Sequence, residues 1–129
     1  MTEIALLLSA TLLGGMVFYS FGFAPVLFAQ LPMERVRPLL RGTFPYYYLA
    51  VIGLSALTAA ASYFVSPMAA VLFATIALST LYARQVLMAQ INAAADRGDK
   101  KAFGRLHGLS VVIQLIQIGL AGWAVVLVA

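Results

Sequence analysis

The stretch GTFPYYYLAVIGLSALTAAASYFVSPMAAVLFATIALSTLYA, Gly42–Ala83, runs for 42 residues without a charge. About 20 apolar residues cross the hydrocarbon core of a bilayer as a helix, so this run holds two crossings. Ser66-Pro67 falls near its middle and supplies a minimal turn, which makes the two helices an antiparallel pair. Working outward, Ile4–Met33 is also free of charge and fits one earlier span, with Pro25 expected to kink or end its last turn. Leu31–Thr43 reads as a short polar connection carrying Pro32, Glu34, Arg35, Arg37, Pro38 and Arg41. The third helix should run on to about Ala95, outside the membrane. Asp96-Arg97-Gly98-Asp99-Lys100-Lys101 then turns the chain, with Gly98 as a helix C-cap and Asp99 as the next N-cap. The last helix begins around Lys100 and ends with Trp123 near the far interface.

These readings give one membrane domain, residues 1–129, with spans at about 4–28, 44–64, 68–88 and 104–127. The fold class is all-α: an integral membrane four-helix antiparallel bundle. Composition agrees. A chain of 129 residues that is 64% hydrophobic and 9% charged has too little polar surface to coat a soluble domain. The N-terminus has no basic region ahead of its apolar run, so it is expected to be a retained first helix. All eight Lys and Arg residues lie in or beside the first and third connections. The positive-inside rule therefore places both basic turns in the cytoplasm and both termini outside. The net charge of +4 is a marker of membrane side, and no nucleic-acid partner is expected.

The segment RLHGLSVVIQLIQ, Arg105–Gln117, opens the last span and carries the only histidine. At 100° per residue, His107, Ser110, Gln114 and Gln117 fall within about 80° of one another. An unpaired polar group in hydrocarbon costs several kcal/mol, so this face should look into a bundle. Tyr48 shares a face with Ser55, Thr58 and Ser62 and should also point inward, whereas its neighbours Tyr46 and Tyr47 read as an aromatic belt. Thr75, Ser79 and Tyr82 share a face of the third span. By depth, Arg84, Tyr19, Ser20 and Tyr48 should sit near the cytoplasmic boundary. The expected ligand-binding set is His107, Ser110, Gln114, Gln117, Arg84, Tyr48 and Tyr19, lining a polar intramembrane pocket open to the cytoplasm. Gly104 and Gly108, and Gly15 and Gly22, are expected helix-packing positions, because small residues let backbones approach closely.

Each of these residues has a plainer reading. His107 can serve as a structural hydrogen-bond donor, a proton carrier or a haem ligand. Arg84 can snorkel to the interface or contact an anion or carbonyl inside the bundle. The glutamines can pair across helices. With one histidine, no cysteine and no carboxylate inside a span, no metal site is expected. No cofactor is predicted, with haem on His107 left open. No Ser/His/Asp arrangement, Gly-rich phosphate loop or HExxH occurs, so nothing supports a hydrolase or kinase.

Gly15, Phe44-Pro45-x-Tyr47, Arg84 and His107-Gly108-Leu109-Ser110 together resemble the transmembrane-protein-205-like family. These are small four-helix membrane proteins, found in bacteria as a domain of unknown function. The resemblance spans nearly the whole chain and is most specific at the HGLS stretch. Gln114 departs from it, since an asparagine is expected four residues after the serine. The vertebrate member is associated with resistance to a platinum drug and with vesicle trafficking. The resemblance supports the four-helix fold, singles out His107, Gly108 and Ser110, and brings neither a ligand nor a catalytic mechanism; a bacterial inner-membrane location and an efflux or tolerance role are expected beside it. The leading expectation is a non-enzymatic membrane protein that binds a small ligand, ion or lipid. The alternatives are an accessory subunit of a larger membrane complex and a haem- or quinone-holding oxidoreductase component. The partners expected are the lipid bilayer and either a second copy or a larger complex.

Overall fold

A computed structural model describes residues 1–129 and contains four long helices and no strand. They are α1 (Thr2–Gln30), α2 (Met33–Tyr63), α3 (Pro67–Asp96) and α4 (Lys100–Val128), each long and apolar enough to cross a membrane. They pack as an antiparallel ring: α2 against α3 most intimately, α3 against α4, and α1 closing the ring on α2 and α4. The shared core is built from Ala5, Leu12 and Met16 of α1, Val51 and Ala61 of α2, Ala69, Leu72, Phe73 and Ile76 of α3, and Ala121, Ala124 and Val128 of α4.

Helical spacing explains which faces turn inward. On α2, Tyr48, Val51, Ser55, Thr58 and Ser62 recur at alternating steps of three and four, and all are buried. The inward orientation expected for Tyr48 and its three hydroxyl neighbours is thus observed. Small side chains on this face allow α3 to come close. Buried hydroxyls need acceptors, and most find them on their own helix. Ser55 donates to the Val51 carbonyl at 2.5 Å, Thr58 to Leu54 at 2.6 Å and Thr80 to Ile76 at 2.7 Å. Ser62 is the one buried hydroxyl left without a partner.

The turns are capped. Ser66 accepts a hydrogen bond from the Ala69 N–H at 3.3 Å and Pro67 follows at the first helical position. Gly98 has φ +70°. Its N–H donates to Ala95 at 3.2 Å, and the Asp99 N–H donates to Ala94 at 3.0 Å. This pair of bonds closes the end of α3 in a Schellman turn. Asp99 then accepts from the Ala102 N–H at 3.1 Å and starts α4.

One expectation is corrected and another is narrowed. Leu31–Thr43 is not an irregular connection: the break is confined to Leu31-Pro32, and α2 begins at Met33. Pro32 is extended, Glu34 sits in the first turn where the helix dipole favours an anion, and Val36 is fully buried. Pro38 and Pro45 lie inside this helix, so each removes one backbone hydrogen bond without ending it. Of the two outcomes expected of Pro25, a kink or an end, the end does not occur. A π-helical turn at Phe18–Phe23 precedes the proline, in which the Ala24 N–H reaches back five residues to the Tyr19 carbonyl. The wider turn absorbs the misfit that proline brings, and the helix runs on to Gln30. A second π turn occupies Ala83–Leu87 in α3, where no proline marks it.

The helices have 29 to 31 residues. At roughly 45 Å they exceed a ~30 Å hydrocarbon core. Seven of the eight basic residues cluster at the end where α1 meets α2 and α3 meets α4, the end that charge favours placing beyond the hydrocarbon. At that end Arg41 of α2 makes a two-pronged ion pair with Asp96 of α3, at 2.7 and 3.0 Å. The Arg41 hydrogen bond, aided by its charge, holds the Asp96 carboxyl below its ordinary range.

Gly98→Ala is expected to lower stability by about 1 kcal/mol, because a Cβ is strained at positive φ, while Gly98→Asn loses less. Unfolding in mild detergent measures both. The Asp96 pair works above the unfolded carboxyl pKa of about 3.9 and is lost as pH falls through the lower folded value. The melting temperature should therefore drop as pH falls from about 5 through the unfolded carboxyl value and below it, and Asp96→Asn should drop less over that interval.

Candidate functional site

The polar side chains inside the bundle form two knots, one helical turn apart along α4. The first joins three helices. Gln114 of α4 donates from Nε2 to the Ser20 hydroxyl of α1 and, at 3.4 Å, to the Tyr47 hydroxyl of α2. The Tyr19 ring stacks on the Tyr47 ring with centroids 4.0 Å apart and planes 13° apart. The Tyr19 hydroxyl pairs with Thr43 at 3.1 Å. Phe44 meets the Tyr19 ring edge-on at 5.3 Å and the Tyr48 ring at 5.5 Å. The π turn of α1 carries both Tyr19 and Ser20, so the departure from α geometry coincides with the residues that meet α2 and α4.

The second knot joins α4 to α3. Gln117 is 6% exposed and donates to the hydroxyls of Ser79 at 2.7 Å and Thr80 at 3.0 Å. Both hydroxyls in turn donate to the Ile76 carbonyl. Close by in sequence, Arg84 in the second π turn donates through Nε to the Pro45 carbonyl of α2 at 3.2 Å and through Nη1 to Gln85 at 3.0 Å. The carbonyl contact, one reading of a bundle-facing Arg84, is thus made.

The expected set is therefore divided. Tyr19, Tyr48 and Gln114 come together, Gln117 turns to α3, and Arg84 bridges α3 to α2. His107 and Ser110 do not join them. His107 is exposed, and its ring lies parallel to that of Phe103 on its own helix, 5.7 Å away. Ser110 donates to the His107 carbonyl at 2.7 Å. The geometry of α4 explains the position of His107, while Ser110 lies close to the buried line but spends its hydroxyl on its own helix. The buried line of α4 runs through Gln117, Ala121, Ala124 and Val128. On a 100° wheel His107 lies roughly 70° from the centre of that line, so it projects from the flank.

The glycines expected at packing positions are also placed differently. No atom of another helix lies within 4 Å of where a Cβ would stand on Gly15, Gly104 or Gly108. Gly22 is crowded only by the Phe18 ring of its own helix, at 3.2 Å. Close approach inside the bundle comes instead from Ser, Thr and Ala.

Sequence reasoning missed Tyr47 and Thr43, which bind Gln114 and Tyr19. Their spacing of four, which places two hydroxyls on one face, is the signal that could have found them. Tyr46 alone shows the expected belt exposure, at 75%. An apolar recess of about 210 Å³ opens between α1 and α2 beside the first knot, walled by Gly15, Phe18, Ala50 and Leu54 and reaching Tyr19 and Tyr47. No group of three or more His, Cys, Asp or Glu side chains is placed to hold a metal ion.

Gln117→Met should cost about 1 kcal/mol, since interhelical hydrogen bonds in membranes average near 0.6 and Ser79 and Thr80 keep their backbone acceptor. Thermal unfolding in detergent tests this.

A family model described as Domain of unknown function (DUF4149) matches residues 7–100. No curated protein and no solved structure matches the chain. The matched stretch includes Tyr19, Ser20, Thr43, Tyr47, Tyr48 and Arg84, and it ends where α4 begins. By this match over most of its length, the chain belongs to the family described as Domain of unknown function (DUF4149).

Proposed function

We propose that this integral membrane protein is a non-enzymatic binder of a small, lipid-soluble ligand carrying a hydrogen-bonding group. The ligand would enter from the bilayer between α1 and α2. The observation that carries this reading is the recess of about 210 Å³ that ends on the Tyr19–Tyr47 pair. A cavity of about 150 Å³ takes a benzene ring, so a substituted ring fits. The walls are apolar, and the Tyr19 and Tyr47 side chains lie at one end, with the Tyr47 hydroxyl already bonded to Gln114; a ligand would orient by engaging that hydroxyl. Gly15 contributes by lacking a side chain, since nothing occupies the space its Cβ would enter. The basic turns would face the cytoplasm by the positive-inside rule. The site would then lie in the cytoplasmic half of an inner-membrane protein. Binding of this kind suits an efflux or tolerance role. A quinone belongs to the ligand class; haem on His107 gains no support, because that ring meets only Phe103.

A second reading, an accessory subunit of a larger membrane complex, is favoured by the open surface at Gly104, His107 and Gly108. Native mass of the gently purified protein separates it from the first reading through any co-purifying chain.

The recess is tested with a diazirine-bearing alkylphenol as photolabel on protein in nanodiscs. Label should map to the 11–19 and 47–54 segments and be competed by the unlabelled phenol. Gly15→Leu should reduce this labelling about tenfold with an unchanged circular dichroism spectrum, since the added side chain fills the recess without meeting another helix. Undiminished labelling of Gly15→Leu would overturn the reading.

A further inference from the structure

A second, larger hollow lies at the basic end. The facing ends of α3 and α4 part to leave a groove of about 580 Å³, lined by Gln90, Ala93, Arg97, Ala102, Arg105, Leu106 and Leu109. Its contents are arranged by sequence position. Arg97 and Arg105 bracket the turn between the helices, Gln90 lies about two turns back along α3, and Leu106 and Leu109 continue along α4 toward the membrane-spanning part. The groove is thus cationic where it meets water and apolar where it meets the acyl region.

Arg105 has no carboxylate partner, and Arg97 has only a long one. The chain has two ion pairs, Arg41–Asp96 and Arg97–Asp99, and Arg105 is in neither. The Arg97–Asp99 contact is long, at 3.5 Å, and solvent-exposed on both sides. Asp99 also feels the charge of Arg105, but its carboxylate is engaged by the Ala102 N–H that it caps. The groove therefore keeps donors for an anion that arrives with its own apolar chains. Arginine forks match phosphate oxygens, and basic clefts between helices at the cytoplasmic boundary favour anionic lipid headgroups.

We propose that the Arg97–Arg105 groove between α3 and α4 binds the phosphate headgroup of one anionic phospholipid, with Leu106 and Leu109 against its acyl chains. The site is separate from the α1–α2 recess and does not depend on it. Its volume lies within the 300–1,000 Å³ usual for bound small molecules. One lipid held there would wedge between two helices at the point where the Schellman turn fixes them.

The test is native mass spectrometry of the whole chain released from nanodiscs containing phosphatidylglycerol and phosphatidylcholine. Wild type should retain one phosphatidylglycerol in preference to phosphatidylcholine. Arg97→Ala/Arg105→Ala should weaken that retention about tenfold or more, while Arg35→Ala/Arg37→Ala, which leaves the groove intact, should keep it. Arg97→Lys/Arg105→Lys should fall between, because charge survives and the fork is lost. Equal retention by the groove variant, or equal loss in the Arg35/Arg37 variant, would overturn the proposal. Complete displacement of the lipid by equimolar inorganic phosphate would also overturn it, by showing a free-anion site.

Discussion

Water cannot complete a hydrogen bond in hydrocarbon, and this constraint governs the interior of the bundle. Most hydroxyls on the α2 and α3 faces find an acceptor without leaving their helix: Ser55, Thr58 and Thr80 bond the carbonyl one turn back, and of the buried hydroxyls Ser62 alone is left unpartnered. Because these side chains are short and folded onto their own backbone, they behave toward neighbouring helices almost as alanine does. That is why a stripe with five inward positions, three of them Ser or Thr, can serve as the most extensive helix contact in the molecule. The long glutamines have no such local solution. Gln114 and Gln117 cross to α1, α2 and α3, and so specify which helix stands next to α4.

The two π turns belong to the same logic. A helix that carries Pro25 has lost a donor, and the wider turn at Phe18–Phe23 relocates that defect to the place where Tyr19 and Ser20 engage other helices. The second turn presents Arg84 to the Pro45 carbonyl, on a helix that proline has already interrupted. Irregular backbone at membrane depth is tolerated where side chains from neighbours surround it. The aromatic stack of Tyr19, Tyr47, Phe44 and Tyr48 provides that enclosure on the α1–α2 side.

The molecule thus divides along its axis. Its middle is uncharged and tied by neutral hydrogen bonds. Its basic end, which charge favours placing beyond the hydrocarbon, is held together by Arg41–Asp96 and the capped Gly98–Asp99 turn. The two proposed ligand places follow this division. The recess beside Tyr19 and Tyr47 offers shape and apolar walls, whereas the groove between Arg97 and Arg105 offers charge.

Hydrophobic run length and charge placement determined the four helices, the Ser66-Pro67 turn, the Gly98 and Asp99 caps and the clustering of basic residues at one end. These properties depend on solvent partition and local backbone chemistry, which each segment carries by itself. The inward face of α2 was legible for the same reason, since a period of three and four is local. The start of α2 at Met33 was not, because Val36 is buried by neighbours that hold a helix through two prolines. Nor were the π turns, the partnership of Gln114 with Ser20 and Tyr47, or the outward position of His107. A helical wheel gives angles between residues on one helix, but the rotation of that helix against three others is set by packing. The roughly 70° that separates His107 from the buried line of α4 exists only once Ala121, Ala124 and Val128 have chosen the core.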